Sequence, residues 1–174
     1  MDTYTRYLQH SLHRQIQRQT FVLNFPVLDP DSWDEVFSSH DRAAHLEAEG
    51  QHHVRSFIQE IMHSKYPCLR QEASAVRILD CLGHILLSDG GFKAIQDAIA
   101  HRKIYAEVLV QNKLRALGRY AAVGSAPLYF VYGGHVLFHL GLLGLQSGAA
   151  AVKLWVEENL GPMIDLLVEV DAAQ

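Results

Sequence analysis

The sequence predicts an all-α protein, a single globular bundle of seven or eight helices around one buried apolar central helix. Three observations lead there. Apolar residues recur at three- and four-residue spacing in most segments of the chain, the period of a helix with one buried face. No segment alternates apolar and polar residues between turn dipeptides, as strands of a half-exposed sheet would. Finally, the 33 residues from Tyr120 to Val152 contain no Asp, Glu, Lys or Arg, in a chain whose charged fraction is 20%. A helix that is apolar all round is buried in a core or in a membrane. At 174 residues the chain suits one domain, 1–174, able to bury about two-thirds of its unfolded surface.

The elements follow in order. Asp2 to Arg18 reads as an amphipathic helix with Tyr4, Tyr7, Leu8, Leu12 and Ile16 on its apolar side. Residues 20–38 hold Pro26, Pro30 and an Asp29-Pro30-Asp31-Ser32 cluster, so they form a loop. That loop is rich in Phe, Val, Leu and Trp, which predicts that it packs on the body. A second helix starts near Ser39, runs from Asp41 to His63 and stops before Pro67. Its stripe is Val54, Phe57, Ile58 and Ile61, with His52, His53, Arg55 and Glu60 facing water. An amphipathic segment from Leu69 to Leu87 is closed by Ser88-Asp89-Gly90-Gly91, read as a C-terminal stop. Short helices at Phe92–Ala100 and Tyr105–Leu117 precede two apolar ones, Ser125–Leu145 and Ala149–Glu158, divided at Gln146-Ser147-Gly148. Pro162 sits where a last short helix, Met163–Val170, can begin.

Composition excludes several classes. A net charge of -4 argues against nucleic acid as a partner. Two cysteines, Cys68 and Cys81, are too few for a disulfide scaffold. Met1 to Arg18 lacks an apolar leader core, which predicts no secretory signal and a cytoplasmic location.

The amphipathic segment carries a specific pattern. Ala75, Leu79, Leu82 and Leu86 are spaced four, three and four, on one helical face, and Gly83 follows directly on the neighbouring stripe. A glycine inside a helix costs about 1 kcal/mol relative to alanine, so its presence suggests a close neighbour. Forty-one residues later comes Gly124, in Ala122-Val123-Gly124-Ser125, and then Leu128-Tyr129-Phe130-Val131-Tyr132-Gly133-Gly134. This run resembles the first homology motif of the B-cell lymphoma two family of apoptosis regulators. Gly124 matches its glycine, Phe130 and Tyr132 its aromatics, and Gly133-Gly134 its glycine pair. Ala75 to Leu86 then resembles the third motif, with Leu79 as the central leucine and Gly83 as the small residue. Trp155 and Leu160-Gly161-Pro162-Met163-Ile164 resemble the start of the second.

The resemblance spans about Leu69 to Leu167. It implies a Bcl-like bundle and a surface groove lined by Leu86, Phe92, Ile95, Leu109, Val110, Leu114, Val123, Leu128 and Tyr132, with Gly124 and Ser125 at its base. Such a groove takes the amphipathic death-motif helix of proapoptotic relatives through anchors at i, i+4, i+7 and i+11. The implied function is prosurvival and non-enzymatic, in the cytoplasm and peripherally at mitochondria. A homodimer through the same groove is a further implied arrangement. The alternatives are a proapoptotic, membrane-permeabilising relative and an unrelated helical-repeat scaffold. Departures from the motifs are like those of divergent viral and invertebrate members. Ala122, Val123 and Ser125 stand for the family's Asn, Trp and Arg, and His84 for its Asp. Loss of the arginine removes a charge-assisted hydrogen bond to a ligand's aspartate, worth about 1.5–3 kcal/mol. No membrane anchor is expected after Val170.

Competing chemistry is weaker. His135 and His139 share a helical face as two zinc ligands can, but no acidic residue lies near them in sequence, so they read as a helix–helix contact and no metal or other cofactor is expected. His84 and His101 offer no distinct haem site. No nucleophile elbow, phosphate loop or dinucleotide fingerprint is present, and Asp31, Asp34 and Glu35 read as capping residues.

Overall fold

The computed structural model describes residues 3–18, 21, 23–24, 40–66, 89–111 and 128–172, and all regular structure among them is helical. Six helices are described: α1 (Thr3–Arg18), α2 (His40–Lys65), α3 (Asp89–Ile99), α4 (Arg102–Gln111), α5 (Leu128–Ser147) and α6 (Ala149–Ala172). The segment around Ala75, Leu79, Leu82 and Gly83 lies outside the described residues.

Hydrophobic spacing sets which face of each helix is inside. In α1 the residues turned inward are Thr5, Leu8, Leu12 and Ile16, one stripe at steps of three and four. Tyr7, one residue before Leu8, is rotated off that stripe and 44% exposed. On α2 the buried line is Leu46, Gly50, Val54, Ile58, Ile61 and Met62, with Phe57 at its margin. Arg55 does not simply face water, because its guanidinium donates to Asp97 of α3 at 2.6 Å.

The charge-free run becomes the inner helix α5, packed against α2, α4 and α6. Residues 136–143 are buried all the way round, leucines and Phe138 together with Gly141 and His139. Among the described residues no helix is long and apolar enough to cross a membrane. Two glycines let α5 meet α2 backbone to backbone. A Cβ on Gly141 would stand 1.9 Å from the Leu46 carbonyl oxygen, and one on Gly50 1.8 Å from that of Leu137. Each position therefore excludes any larger residue unless the helices separate.

A one-residue corner joins α5 to α6. Gly148 takes a left-handed φ of 82°, and its N–H bonds the Gly144 carbonyl at 3.0 Å. This is the αL helix end that glycine adopts without steric cost.

The structure corrects two predicted boundaries. Pro162 does not open a separate last helix; it lies inside the continuous α6. Its ring removes one N–H donor, which would have bonded the Glu158 carbonyl, and both residues are on the exposed side where water can serve that oxygen. Gly161 before it has no Cβ to meet the proline ring, which relieves the usual conflict. Asp89-Gly90-Gly91 is likewise the first turn of α3 rather than a trailing stop. Asp171, near the end of α6, sets its carboxylate beside this turn, 3.0 Å from where a Gly91 Cβ would be. Negative charge is favoured at a helix N-terminus, and glycine at 91 lets the carboxylate come close.

Of the loop predicted to pack on the body, the described part does so. Leu23 is buried, Phe21 packs against the core, and the Asn24 N–H donates to the buried Asn159 Oδ1 at 2.7 Å. Asn159 in turn donates to the Trp155 carbonyl at 2.8 Å, while the Trp155 indole N–H donates to the Asn24 carbonyl. Residues 25–39 lie outside the described set.

Candidate functional site

The predicted groove residues fall into three groups. Leu86, Leu114, Val123, Gly124 and Ser125 lie outside the described residues, as do Ala75, Leu79, Leu82 and Gly83 of the death-motif-like segment. Val110 on α4 and Leu128 and Tyr132 on α5 are placed in helices, without described side chains. Phe92, Ile95 and Leu109 are described in full.

Ile95 and Leu109, on α3 and α4, are 0% and 2% exposed and belong to the same continuous core. Neither presents a surface to an outside helix in this state. Phe92 is partly buried, with its ring stacked on His63 of α2 at a centroid distance of 4.5 Å. His63 thus packs on an apolar partner.

The glycine pair Gly133-Gly134 occupies a crowded place. A Cβ on Gly133 would lie 2.1 Å from the Arg102 carbonyl oxygen, so α5 passes directly under the first residue of α4. Beside it, Gly134 lies under the Glu47 carboxylate, 3.1 Å from its own would-be Cβ. The Arg102 guanidinium closes this spot through an ion pair with Glu47. Three helices, α2, α4 and α5, therefore converge on the two glycines. Sequence reasoning singled out the glycines but missed Glu47, Gly50 and Arg102. Of these only Gly50 left a trace, as a glycine in the line of Leu46 and Val54.

The buried histidine pair is also on α5. His139 donates its Nδ1–H to the His135 carbonyl at 2.6 Å and sets its ring edge against Phe138. Burial pushes its pKa down to about 4 and that of His135 down as well, since a charged ring is disfavoured away from water. No cluster of three or more metal-ligating side chains occurs among the described residues.

A second concave site lies elsewhere, between α1 and α4. It is lined by Arg6, Gln9, His10 and His13 on one side and Lys103, Ile104 and Glu107 on the other. The sequence reading did not assemble it, because its two halves are about ninety residues apart and each looks like an ordinary solvated helix face.

Searches of protein-family models, of curated proteins and of solved structures find no match to this chain.

Proposed function

We propose that this protein is an apoptosis regulator of the B-cell lymphoma two type, acting as a prosurvival factor. It captures the amphipathic death-motif helix of proapoptotic relatives in an apolar groove bounded by the Leu69–Leu87 segment, α3, α4 and the start of α5. One observation carries the reading: Gly124 to Gly134 is in register with the family's first homology motif, and its glycine pair lies where three helices converge. Tight packing at Gly133 gives a physical reason for the pair, since α4 passes there with no space for a side chain.

The burial of Ile95 and Leu109 adds a condition. An incoming helix reaches them only when α3 moves off α1, α2 and α6, or α4 off α1 and α5, so binding is coupled to opening. The apparent affinity is then the intrinsic one reduced by the fraction of open protein. Peptides that pre-order as helices bind best, because they lose less entropy on docking.

The test is titration of the purified protein with a panel of labelled death-motif peptides, read by fluorescence polarisation. At least one binds with a submicromolar Kd, and Gly124→Glu abolishes that binding by setting a charge where the motif has its glycine. Absence of binding across the panel overturns the proposal. Leu145 and Leu154 are exposed near the α5–α6 corner, 62% and 56%, which makes liposome leakage a second necessary measurement. Leakage at low protein concentration replaces the prosurvival reading with a membrane-permeabilising one.

A further inference from the structure

A cleft of about 360 Å³ opens between α1 and the first turns of α4. From α1 it is lined by Arg6, Gln9, His10 and His13, at i, i+3, i+4 and i+7 and hence on one helical face. Lys103, Ile104 and Glu107 form the opposite wall. Two permanent cations therefore face one carboxylate.

That carboxylate is already engaged. His13 Nδ1 donates to Glu107 Oε2 at 2.8 Å, and the Lys103 ammonium lies 3.6 Å from Oε1. His13 is itself held at its other nitrogen by the Gln17 amide, 2.9 Å away. What remains for an outside group is a set of donors. Gln9 Nε2 is closed off from water and has no hydrogen-bond partner among the described residues, so it meets an acceptor in the cleft by a turn of its side chain. Arg6 makes no ion pair among the described residues, and Lys103 has further N–H groups beyond the one turned to Glu107. A buried amide donor without an acceptor is costly, so it marks a place where an acceptor fits. The α4 N-terminus is not the device here, because the Lys103 backbone N–H is taken by His101 Nδ1 at 3.2 Å.

We propose that this cleft binds the phosphate group of a small polar phosphate monoester, with Arg6, Gln9 and Lys103 as its donors. Three donors arriving from two helices match the three terminal oxygens of a phosphate better than the two of a carboxylate. An arginine fork is suited to bidentate contact with phosphate, and lysine adds a point charge. The volume exceeds that of a bare ion and falls at the small end of the roughly 300–1,000 Å³ usual for small-molecule sites. Ile104 and the methylene stems of the long side chains make the wall as much apolar as polar, which suits a small body with both hydroxyl and carbon faces, as in a sugar phosphate or an inositol headgroup. This site is separate from the groove, and its reading stands whether or not a death-motif peptide binds.

Isothermal titration at constant ionic strength tests it, with inorganic phosphate, glucose 6-phosphate and uncharged glucose as probes. Both phosphates bind and glucose does not. Arg6→Gln and Lys103→Gln each weaken glucose 6-phosphate binding at least tenfold while leaving the melting temperature of the free protein unchanged, since both side chains are exposed. Co-sedimentation with phosphatidylcholine vesicles, with and without a phosphatidylinositol phosphate, separates the sources. Retention by the phosphoinositide vesicles that is lost in Arg6→Gln identifies a lipid-borne phosphate; binding of glucose 6-phosphate alone identifies a soluble one. No binding of any of the phosphate probes, or undiminished binding by the Arg6→Gln/Lys103→Gln double variant, overturns the proposal.

Discussion

The α2–α5 crossing and the α1–α4 contact are two ways of bringing helices together in one molecule. At the first, Gly50 and Gly141 admit the facing backbone itself, at the carbonyl groups of Leu137 and Leu46. At the second, long polar side chains hold the helices apart, and a cleft with an unpartnered amide is left between them. Close-packed crossings leave no room for adjustment, because interiors are as dense as organic crystals. A polar cleft is tolerant, since water or a ligand can fill whatever space a substitution leaves. The difference assigns architecture to the first contact and recognition to the second.

The strongest way to break that contrast is to add one methyl group at the crossing. Gly141→Ala places a Cβ 1.9 Å from the Leu46 oxygen, with its carbon only 2.8 Å away, so the two backbones must separate. The better helix propensity of alanine returns about 1 kcal/mol and does not offset this. The expected destabilisation is about 3 kcal/mol or more, at the upper end of overpacking effects. Gly144→Ala is the control on the same helix. Its Cβ would meet only the tip of His53 at 3.1 Å and a Val152 methyl at 3.4 Å, both able to shift. Urea denaturation of the two variants measures the difference. Equal stability would show that the crossing is looser than its geometry.

A second prediction concerns the histidine on the same inner helix. Folded His139 titrates near 4, whereas an unfolded histidine titrates at 6.5. Between these values the unfolded chain holds the proton and the folded chain does not, so stability falls as pH drops from 6.5 to about 4 and levels below. The loss from this group is on the order of 3 kcal/mol. His135, lowered in the same direction by burial, adds to it. His139→Gln removes the titration while keeping a donor for the His135 carbonyl. Melting temperatures from pH 7.5 to 4 should therefore fall less steeply in the variant than in the parent; the same slope in both would assign the acid sensitivity to other groups.

How much of this was legible beforehand follows the range of the interactions. The helices α1 and α2 were readable to within one or two residues at each end, because their stripes recur locally. The Gly133-Gly134 pair stood out through its motif and the Gly148 corner through the Gln146-Ser147-Gly148 break, both of them local signals. Gly50 did not, because its meaning depends on a carbonyl of Leu137, 87 positions away. Pro162 and Asp89-Gly90-Gly91 misled for a related reason. Local rules make the first a helix start and the second a helix stop, yet solvent at Glu158 and the carboxylate of Asp171 reverse both. For the proposed groove, the family resemblance named Phe92, Ile95 and Leu109 as lining. Their degree of closure is set by how α3 and α4 pack on the rest, which no spacing rule encodes. The cleft required pairing two polar faces that are separately unremarkable.

The smallest effect tests whether α4 belongs wholly to the tolerant kind of contact. Its outer face supplies Lys103 and Glu107 to the cleft, but Tyr105 between them turns into the core and is fully buried. The Tyr105 hydroxyl has no hydrogen-bond partner among the described residues, and burial pushes its pKa upward. A closed-off hydroxyl without an acceptor contributes a desolvation penalty of roughly 1–3 kcal/mol. Tyr105→Phe removes that penalty and leaves the ring in place, at the expense of a small void where the oxygen was. The two terms oppose, so the variant should be unchanged or more stable by about 1 kcal/mol. Thermal melts at neutral pH measure it. A clear loss of stability would mean that the hydroxyl is satisfied in solution, and that the polar tolerance of the α1–α4 side extends through α4 into the core.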